Sequence, residues 1–493
     1  MILDGETLTP EAVAGVARGS SPVSLCAEGR RRNETAYRTT LKLLEGDAPV
    51  YGMNTGVGAL KSVTIPPGLR EDHQLRLLRS HAVGAGEEVP PEISRAMLAV
   101  RGNQIAAGGA GVHPELLDAL VDALNEGLAP GIRELGSLGT SDLTSLAEAG
   151  LALIGERPFA DGRRRSPVPL GPRDGLMLMG SNAHAIGEAA LCSVDLSRLI
   201  RTSETCAAIA FEAVGANPTA LDARVHAARP HPGQVAAAEH LRGLLEGYES
   251  PFQRLQDSYA FRCLPQVAGV LRDAQTYLER VIRVEMNSAT ENSLLFGDEA
   301  LTTGNFHAAP LAVALDHVRN AISQAASLSA ARLSALMNPE TSGLSPFLAQ
   351  NPGPDSGLMT FEYTVNSAAG ELRLLATPAA SQSAVFISQG VENHASFASL
   401  AARQTTRAVG LLASVVGAEL VAAIRAFRMH GALPAGRGVK EPFDDAARRL
   451  PAAFHDRPLT EDLDTATDLV LREGLDCKGA GRGSRGGNRD DRR

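Results

Sequence analysis

Residues 136–143 of this chain read Gly-Ser-Leu-Gly-Thr-Ser-Asp-Leu, a glycine-rich polar stretch that runs directly into apolar residues at helical spacing. The apolar positions are Leu143, Leu146, Ala147, Leu151 and Ile154, and Gly155 follows them. The pattern predicts a helix that begins at Leu143 and stops at Gly155, since glycine is common just past a helix end. Ser141 or Asp142 then stands where an N-cap is expected, because a short oxygen-bearing side chain accepts hydrogen bonds from the free amides of the first turn.

The bulk composition is that of a globular protein. The chain has 493 residues, of which 44% are hydrophobic and 21% charged, enough for a large core divided into several packed parts. A formal net charge of -9 gives no general attraction to nucleic acid or to an anionic membrane surface. We therefore expect a small-molecule substrate, with no nucleic-acid partner and no membrane partner.

The cysteines and the first residues indicate a cytoplasmic protein. The cysteines are Cys26, Cys192, Cys206, Cys263 and Cys477. They are scattered without a Cys-x-x-Cys pair, which argues against a disulfide framework and a structural zinc site. No signal peptide is visible at the N-terminus, and we expect no stretch that approaches the roughly 20 apolar residues of a membrane span.

Helical periodicity dominates the chain, and aromatic residues make up only 4% of it. Pro114 to Leu124 shows the clearest amphipathic helix, with proline at its start and Gly127 just past its end. Long apolar periodicity from about 188 to 331 and again from about 389 to 429 predicts a mainly α fold with a long antiparallel central helical bundle. The expected regions are an N-terminal active-site domain at 1–187, the bundle at 188–430, a C-terminal helical segment at 431–475, and a disordered Arg/Gly tail at 476–493.

Seven further stretches of the chain resemble, together with residues 136–143, the motifs of one protein family. They read YGMNTGVG at 51–58, SHAVGAG at 80–86, DARVHAARPHPGQ at 222–234, QDSYAFRCLPQ at 256–266, NSATEN at 287–292, GNFH at 304–307 and VENH at 391–394. Together they resemble the aromatic amino acid ammonia-lyases and aminomutases, the histidine/phenylalanine ammonia-lyase family. The resemblance implies that family's helical fold, a carbon–nitrogen lyase acting on an amino acid, and a homotetramer whose active sites combine residues from several subunits.

The resemblance also implies roles for side chains of these stretches. Tyr51 corresponds to the base near the substrate, and a phenol needs a positive environment to serve as a base near neutral pH. His81 corresponds to a residue beside the substrate in the histidine-specific branch, and Phe306 also lies beside the substrate in relatives. Glu392 corresponds to the glutamate of the histidine-type enzymes, which indicates a polar or cationic substrate side chain such as imidazole.

Residues 256–266 predict one helix with a polar face. Gln256, Tyr259 and Arg262 are three residues apart and would project from the same side, with Cys263 and Gln266 close by. The planar guanidinium of Arg262 suits a substrate carboxylate, and Arg262 would also lower the pKa of Tyr259 or Tyr51. We therefore assign Gln256 and Arg262 to substrate binding and Tyr259 to catalysis.

Residues 140–142 depart from the family pattern at the point of its chemistry. Relatives carry Ala-Ser-Gly, which cyclises with loss of two waters to the electrophile methylidene-imidazolone, whereas this chain reads Thr140-Ser141-Asp142 and lacks the glycine. A second departure lies at LMGSNA, 178–183, where the asparagine that relatives place against the prosthetic group is either lost, as Gly180, or displaced, as Asn182. Whether the imidazolone forms is left open by the sequence.

The resulting hypothesis is an α,β-elimination, or a related 2,3-amino migration, on a polar or histidine-like amino acid. Without the imidazolone, the pocket would favour a better leaving group than ammonium. Ser141 as a covalent nucleophile is a further option, and the alternative from another class is a non-catalytic or ligand-binding helical scaffold. No metal or nucleotide cofactor is expected, because the spacing of His226 and His231 across a proline is poor for joint ligation and no nucleotide loop is present.

Overall fold

The structure is a computed structural model that describes residues 1–19, 21–46, 48–252 and 254–475. The described chain is mainly helical, as predicted. The predicted disordered tail at 476–493, with Cys477, lies outside the described residues.

The helices follow the predicted periodicity. The α-helices are Pro10–Arg18, Ala27–Glu45, Arg70–His81, Pro91–Ala107, Pro114–Asn125, Leu143–Leu153, Asp174–Met179, Ala183–Ala213, Ala223–Ala227, Pro232–Leu244, Tyr259–Arg262, Leu264–Met286, Ala309–Met337, Pro339–Ser342, Phe361–Leu375, Ala398–His430, Lys440–Arg449 and Thr460–Asp468. The predicted helices at Pro114 and Leu143 are confirmed. Proline occupies the first turn of Pro114–Asn125, where its missing amide hydrogen costs nothing.

The strands are short and pair in twos among the described residues. Ile2–Leu3 runs parallel to Ser24–Leu25, and three pairs are antiparallel: Ala85–Glu88 with Arg133–Leu135, Leu294–Phe296 with Glu299–Leu301, and Ala384–Ile387 with Glu392–His394. In the last pair Ala384 faces His394 and Ile387 faces Glu392. This hairpin therefore fixes the position of the VENH motif.

The described chain forms two compact units, each built from segments that are distant in sequence. Of the described residues, the first unit contains those within 1–196, 274–320 and 373–409, and the second contains those within 197–273, 321–372 and 410–475. A buried cluster in the first unit packs side chains of Arg70–His81, Leu143–Leu153 and Asp174–Met179 together, and Tyr51 lies against it. This core anchors the helix that follows residues 136–142.

Two expectations about helices are wrong. Residues 256–266 do not form one helix: Gln256 precedes the helical residues, and Cys263 separates Tyr259–Arg262 from Leu264–Met286. Ala398–His430 is long and apolar enough to span a membrane by length and composition, so the expectation that no stretch approaches that length fails. Of its most apolar window 78% is buried inside the protein, as in the core helix of a globular protein.

Candidate active site

Residues 136–142, called the signature loop below, lie antiparallel to the loop Gly304–His307 in the first unit. Thr140 and His307 form an isolated antiparallel bridge. The Ser141 amide donates to the Phe306 carbonyl at 3.2 Å. The backbone around Phe306, and not only its half-buried ring, therefore fixes one side of the signature loop.

The other side of the signature loop is held by the segment before helix Ala398–His430. Gly139 has a φ of +76°, and a Cβ there would lie 2.0 Å from the Ser396 hydroxyl oxygen, so only glycine fits. The Ser396 hydroxyl donates to the Gly139 carbonyl at 2.7 Å, and the Ser399 hydroxyl donates to the Ser137 carbonyl at 2.7 Å. The loop is thus clamped between two chain segments.

Asn182 lies directly against the signature loop. Its side chain is 1% exposed, and its Oδ1 accepts a hydrogen bond from the Ser141 amide at 3.1 Å. Its Nδ2 donates to the Phe306 carbonyl at 2.6 Å. Of the two positions that the sequence left open, the structure therefore places Asn182, and not Gly180, beside Ser141.

Asp142 is fully buried and is held by a helix other than its own. Its amide donates to the Ser181 carbonyl at 2.6 Å, and its Oδ2 accepts from the Ala185 amide at 2.9 Å. Although Asp142 stands at the N-cap position of Leu143–Leu153, its side chain makes no hydrogen bond to that helix, so the predicted capping role is wrong. Burial raises the pKa of Asp142 to about 7, against the opposing effect of the amides of Ala185 and His184.

Two buried ionisable side chains close to Asp142, His184 and Glu188, were not predicted from the sequence. His184 Nδ1 lies 3.1 Å from the Ser145 hydroxyl, and burial lowers the pKa of His184 to about 4. Burial raises the pKa of Glu188 to about 7, and the Thr406 hydroxyl donates to its carboxylate at 3.0 Å. His184 and Glu188 are four residues apart on one helix, a spacing that could have drawn attention to them.

Tyr51 and Glu392 meet at the turn of the YGMNTGVG stretch. The Gly58 amide donates to the Tyr51 hydroxyl at 2.8 Å. A Cβ at Gly58 would lie 3.5 Å from Glu392 Oε1 and 2.4 Å from the Ser388 hydroxyl, which places the glutamate beside this turn. Burial raises the pKa of Tyr51 and the Glu392 charge raises it further, while the Gly58 amide lowers it. Glu392 thus supplies the opposite of the positive environment that a tyrosine base requires.

The remaining predicted residues of the first unit are His81 and the Ser141 hydroxyl. His81 ends helix Arg70–His81, and its Nδ1 lies 2.8 Å from the Leu77 carbonyl. A carbonyl only accepts, so Nδ1 carries a hydrogen and donates to it. Within the described ranges no side chain hydrogen-bonds the Ser141 hydroxyl, so the covalent-nucleophile option gains no base from them.

Gln256, Tyr259 and Arg262 belong to the second unit. Tyr259 is 69% exposed, and the Arg262 guanidinium carbon lies 4.8 Å from the centre of its ring. Gln256 and Arg262 line a cavity of about 340 Å³ together with Gln266. In the part of the chain that the structure describes, Arg262 has no carboxylate partner. Its charge is therefore available to an anionic ligand.

Of the two histidines proposed as structural, His226 is buried and its side chain has partners, whereas His231 is exposed. His226 is 1% exposed, with Nε2 3.0 Å from the Ala220 carbonyl and Nδ1 3.0 Å from the Gln234 amide nitrogen. Among the described residues, no group of three or more histidine, cysteine or acidic side chains is placed to hold a metal ion.

Comparison with known proteins matches this chain to one family over most of its length. The family model for aromatic amino acid lyases matches residues 8–448. A probable histidine ammonia-lyase of Halobacterium salinarum is 37% identical over 509 residues, covering 96% of each chain.

Solved structures show the same fold. An ergothioneine-degrading enzyme, ergothionase, from Treponema denticola, solved with desmethyl-ergothioneine sulfonic acid, superposes with a TM-score of 0.91 at 27% identity, covering 96% of this chain and 99% of that one. Tyrosine aminomutase from Streptomyces globisporus superposes with a TM-score of 0.90 at 30% identity, covering 96% and 97%. The ammonia-lyase fold predicted from the sequence is confirmed.

Proposed function

Because this chain belongs to the aromatic amino acid lyase family, we propose that it eliminates an amine from an imidazole-bearing α-amino acid derivative without a methylidene-imidazolone group. We propose further that the preferred substrate is a betaine, whose α-nitrogen is already quaternary. The observation that carries the proposal is the position of Asp142.

The residues of the signature loop do not fit the closure that makes the imidazolone. The closing atom is the amide nitrogen of the residue after serine, here that of Asp142, which would have to attack the Thr140 carbonyl. That amide donates to the Ser181 carbonyl at 2.6 Å, and the carboxylate beside it is fixed at the Ala185 amide. Relatives carry glycine at the closing position, whereas the Asp142 side chain is 0% exposed and has no room to turn. Closure would break these contacts and move a buried carboxyl group.

A lyase without this electrophile depends on a substrate with a good leaving group. A primary ammonium must lose its bond to carbon as ammonia, which requires activation by the enzyme. A trialkylammonium group has no N–H to titrate, stays cationic at every pH, and leaves as a neutral tertiary amine. The need for an enzyme-borne electrophile disappears with such a substrate.

The similarity to an ergothioneine-degrading enzyme supports this substrate class. Ergothioneine is a betaine in which the α-nitrogen carries three methyl groups and the side chain is a thio-imidazole. Glu392 beside Tyr51 is suited to an imidazole or to a cationic group, as the resemblance to the histidine-type enzymes implied. We propose an imidazole-bearing betaine for this chain on both grounds.

The proposed step balances as a simple β-elimination. A base takes the proton from the carbon next to the α-carbon, the C–H electron pair becomes the double bond, and the C–N pair leaves with the tertiary amine. Tyr51 is the proposed proton acceptor: a bound quaternary cation would offset the Glu392 charge that raises the pKa of Tyr51. Arg262 is the proposed carboxylate clamp, with Tyr259, Gln256, His81 and Phe306 around the substrate.

We propose a homotetramer, as the family resemblance implied, so that Arg262 need not come from the same copy of the chain as Tyr51. A sizing measurement that gives only a monomer would remove this part of the proposal.

The test compares histidine with its Nα-trimethyl betaine as substrates, with the unsaturated acid followed by absorbance and trimethylamine by mass spectrometry. We expect kcat/KM at least about 100-fold higher for the betaine, equal to about 2.7 kcal/mol of transition-state stabilisation. Ser141→Ala should retain turnover within a few-fold, because the serine is not consumed in a prosthetic group. Preferential turnover of histidine would overturn the proposal, and binding of both without product would favour the ligand-binding scaffold.

A further inference from the structure

His307 and His394 join two parts of the site that are distant in sequence. His307 Nε2 lies 2.9 Å from His394 Nδ1, and the ring centres are 5.0 Å apart. His307 is half-buried and follows Phe306, whereas His394 is exposed and ends the strand Glu392–His394. Neither ring was given a role by the sequence analysis.

Each histidine is fixed to a different part of the site. His307 is bridged to Thr140 of the signature loop. His394 faces Ala384 across its hairpin, and it lies two residues from Glu392. Side chains two residues apart in a strand point to the same face of the sheet, so Glu392 and His394 lie on one face of this hairpin. The contact between the rings is therefore a side-chain link between the Glu392 strand and the signature loop.

The short nitrogen–nitrogen contact depends on the number of protons on the pair. Two facing ring nitrogens attract only when one carries a hydrogen and the other a lone pair. The pair keeps this arrangement when both rings are neutral and when one ring is protonated. With both rings protonated, both facing nitrogens carry hydrogen and both rings are cations, so the contact is lost.

The segments that hold the pair carry few other titratable residues. The opposite strand Ala384–Ile387, the turn Ser388–Gly390 and the residues Gly304–Phe306 contain none. The signature loop contributes Asp142, which is buried and bonded to Ala185, and the histidine strand itself contributes Glu392, whose charge acts on Tyr51. Burial, and then the charge of His394, lower the pKa of His307. The second proton is therefore taken up only in acid.

We propose that His307 and His394 form a proton-dependent clasp that positions the Glu392 strand against the signature loop. The clasp is closed with at most one added proton and opens with the second. Its effect on turnover rests on the proposed function, but its effect on the folded state does not. The two rings are positioning residues, because they act through Glu392 and through the loop.

The sign of the pH dependence follows from the lowered pKa of His307. The folded state disfavours the proton that the unfolded chain accepts, so stability from the clasp is full above the ordinary histidine pKa of about 6.5 and is lost as pH falls below it. Activity that needs Glu392 in place should fall over the same interval.

The test uses full-length wild type, His394→Asn, His394→Ala and His430→Asn, an exposed histidine at a helix end as the matched control. Asparagine places an acceptor oxygen near the Nδ1 position and does not titrate. Thermal unfolding without substrate and kcat/KM with the betaine are both measured from pH 5 to pH 8. We expect the acid-side decrease in melting temperature to be smaller in His394→Asn than in wild type, because buried His184 keeps its own contribution. His394→Ala should lower kcat/KM about tenfold at pH 8, where the wild-type clasp is closed, and by less at pH 5, where it is open.

The outcomes separate the clasp from the proposed function. Melting temperatures with the same pH dependence in wild type and His394→Asn would overturn the clasp, even if the betaine is turned over. A smaller acid-side decrease in melting temperature in His394→Asn, but not in His430→Asn, would support the clasp, even if no betaine is consumed. Unchanged kcat/KM in His394→Ala with active wild type would show that the pair does not position the site.

Discussion

Replacing Asp142 by asparagine should remove the part of the pH dependence of stability that the buried Asp142 carboxyl contributes. The wild-type carboxyl keeps its proton in the folded state up to about pH 7 because burial outweighs the stabilising amide of Ala185. In the unfolded chain the same group ionises near 3.8. Asparagine keeps an oxygen for the Ala185 amide and cannot ionise, so the folded variant has no proton to lose at this position.

The magnitude follows from the interval between the two pKa values. A carboxyl whose folded pKa lies above its unfolded value stabilises the fold below the unfolded pKa, and that stability is lost as pH rises toward the folded pKa. Of the range between pH 5 and pH 8, about two pH units lie below the folded pKa of about 7. Over those two units the Asp142 carboxyl lowers the free energy of unfolding of the wild type by about 3 kcal/mol. We expect the free energy of unfolding of Asp142→Asn to gain about 3 kcal/mol over that of the wild type from pH 5 to pH 8.

Urea unfolding followed by far-UV circular dichroism, at one protein concentration, measures this difference. The exposed Asp464→Asn on helix Thr460–Asp468 is the matched control and should follow the wild type at both pH values. A constant difference between Asp142→Asn and wild type at pH 5 and pH 8 would refute the reasoning, since Asp142 would then be ionised throughout in the fold.

Three further substitutions test the site. Gly139→Ala should lower the free energy of unfolding by more than about 2 kcal/mol, because its Cβ would lie 2.0 Å from a hydroxyl oxygen at a φ of +76°. Gly297 is the control, with a φ of +59° and open space around it. Gly297→Ala should lower the free energy of unfolding by only about 1 kcal/mol in the same thermal unfolding assay. Asn182→Ala should lower the free energy of unfolding by about 1 to 3 kcal/mol, because two buried hydrogen bonds are lost, and should reduce kcat. An unchanged melting temperature would show that these two hydrogen bonds do not stabilise the fold. Arg262→Lys should raise KM about tenfold with less effect on kcat, because a compact ammonium replaces a planar guanidinium that can bind a carboxylate through two hydrogen bonds. Arg280 stacks on a tyrosine in a similar way, so Arg280→Lys is the control and should leave KM unchanged.

Local sequence patterns predicted those helices whose bounds are set by neighbouring residues in the chain. The helix from Leu143 follows from apolar spacing and a glycine stop, and the structure has it at Leu143–Leu153. The break at Cys263 was not predicted, because the polar spacing of residues 256–266 suits one helix as well as two. The motifs indicated which residues matter, but not whether they lie on one regular element.

Tertiary contacts decided the rest of the site. The Asp142 side chain bonds to an amide 43 positions along the chain, so local capping rules assigned it to the wrong helix. The choice between Gly180 and Asn182 needed the backbone path beside Ser141. The pKa of Tyr51 depends on Glu392, more than three hundred residues later in the sequence. None of these pairs is visible in the spacing of a single sequence.

The intact mass of the purified protein tests the central claim most directly, with Ser141→Ala measured beside it. Formation of an imidazolone removes two waters, so the mass reports the state of the signature loop without any assay of activity. We predict that the wild type has the full mass of its sequence and differs from Ser141→Ala only by one oxygen atom. A wild-type mass lower by two waters, with the full calculated mass in Ser141→Ala, would contradict the account.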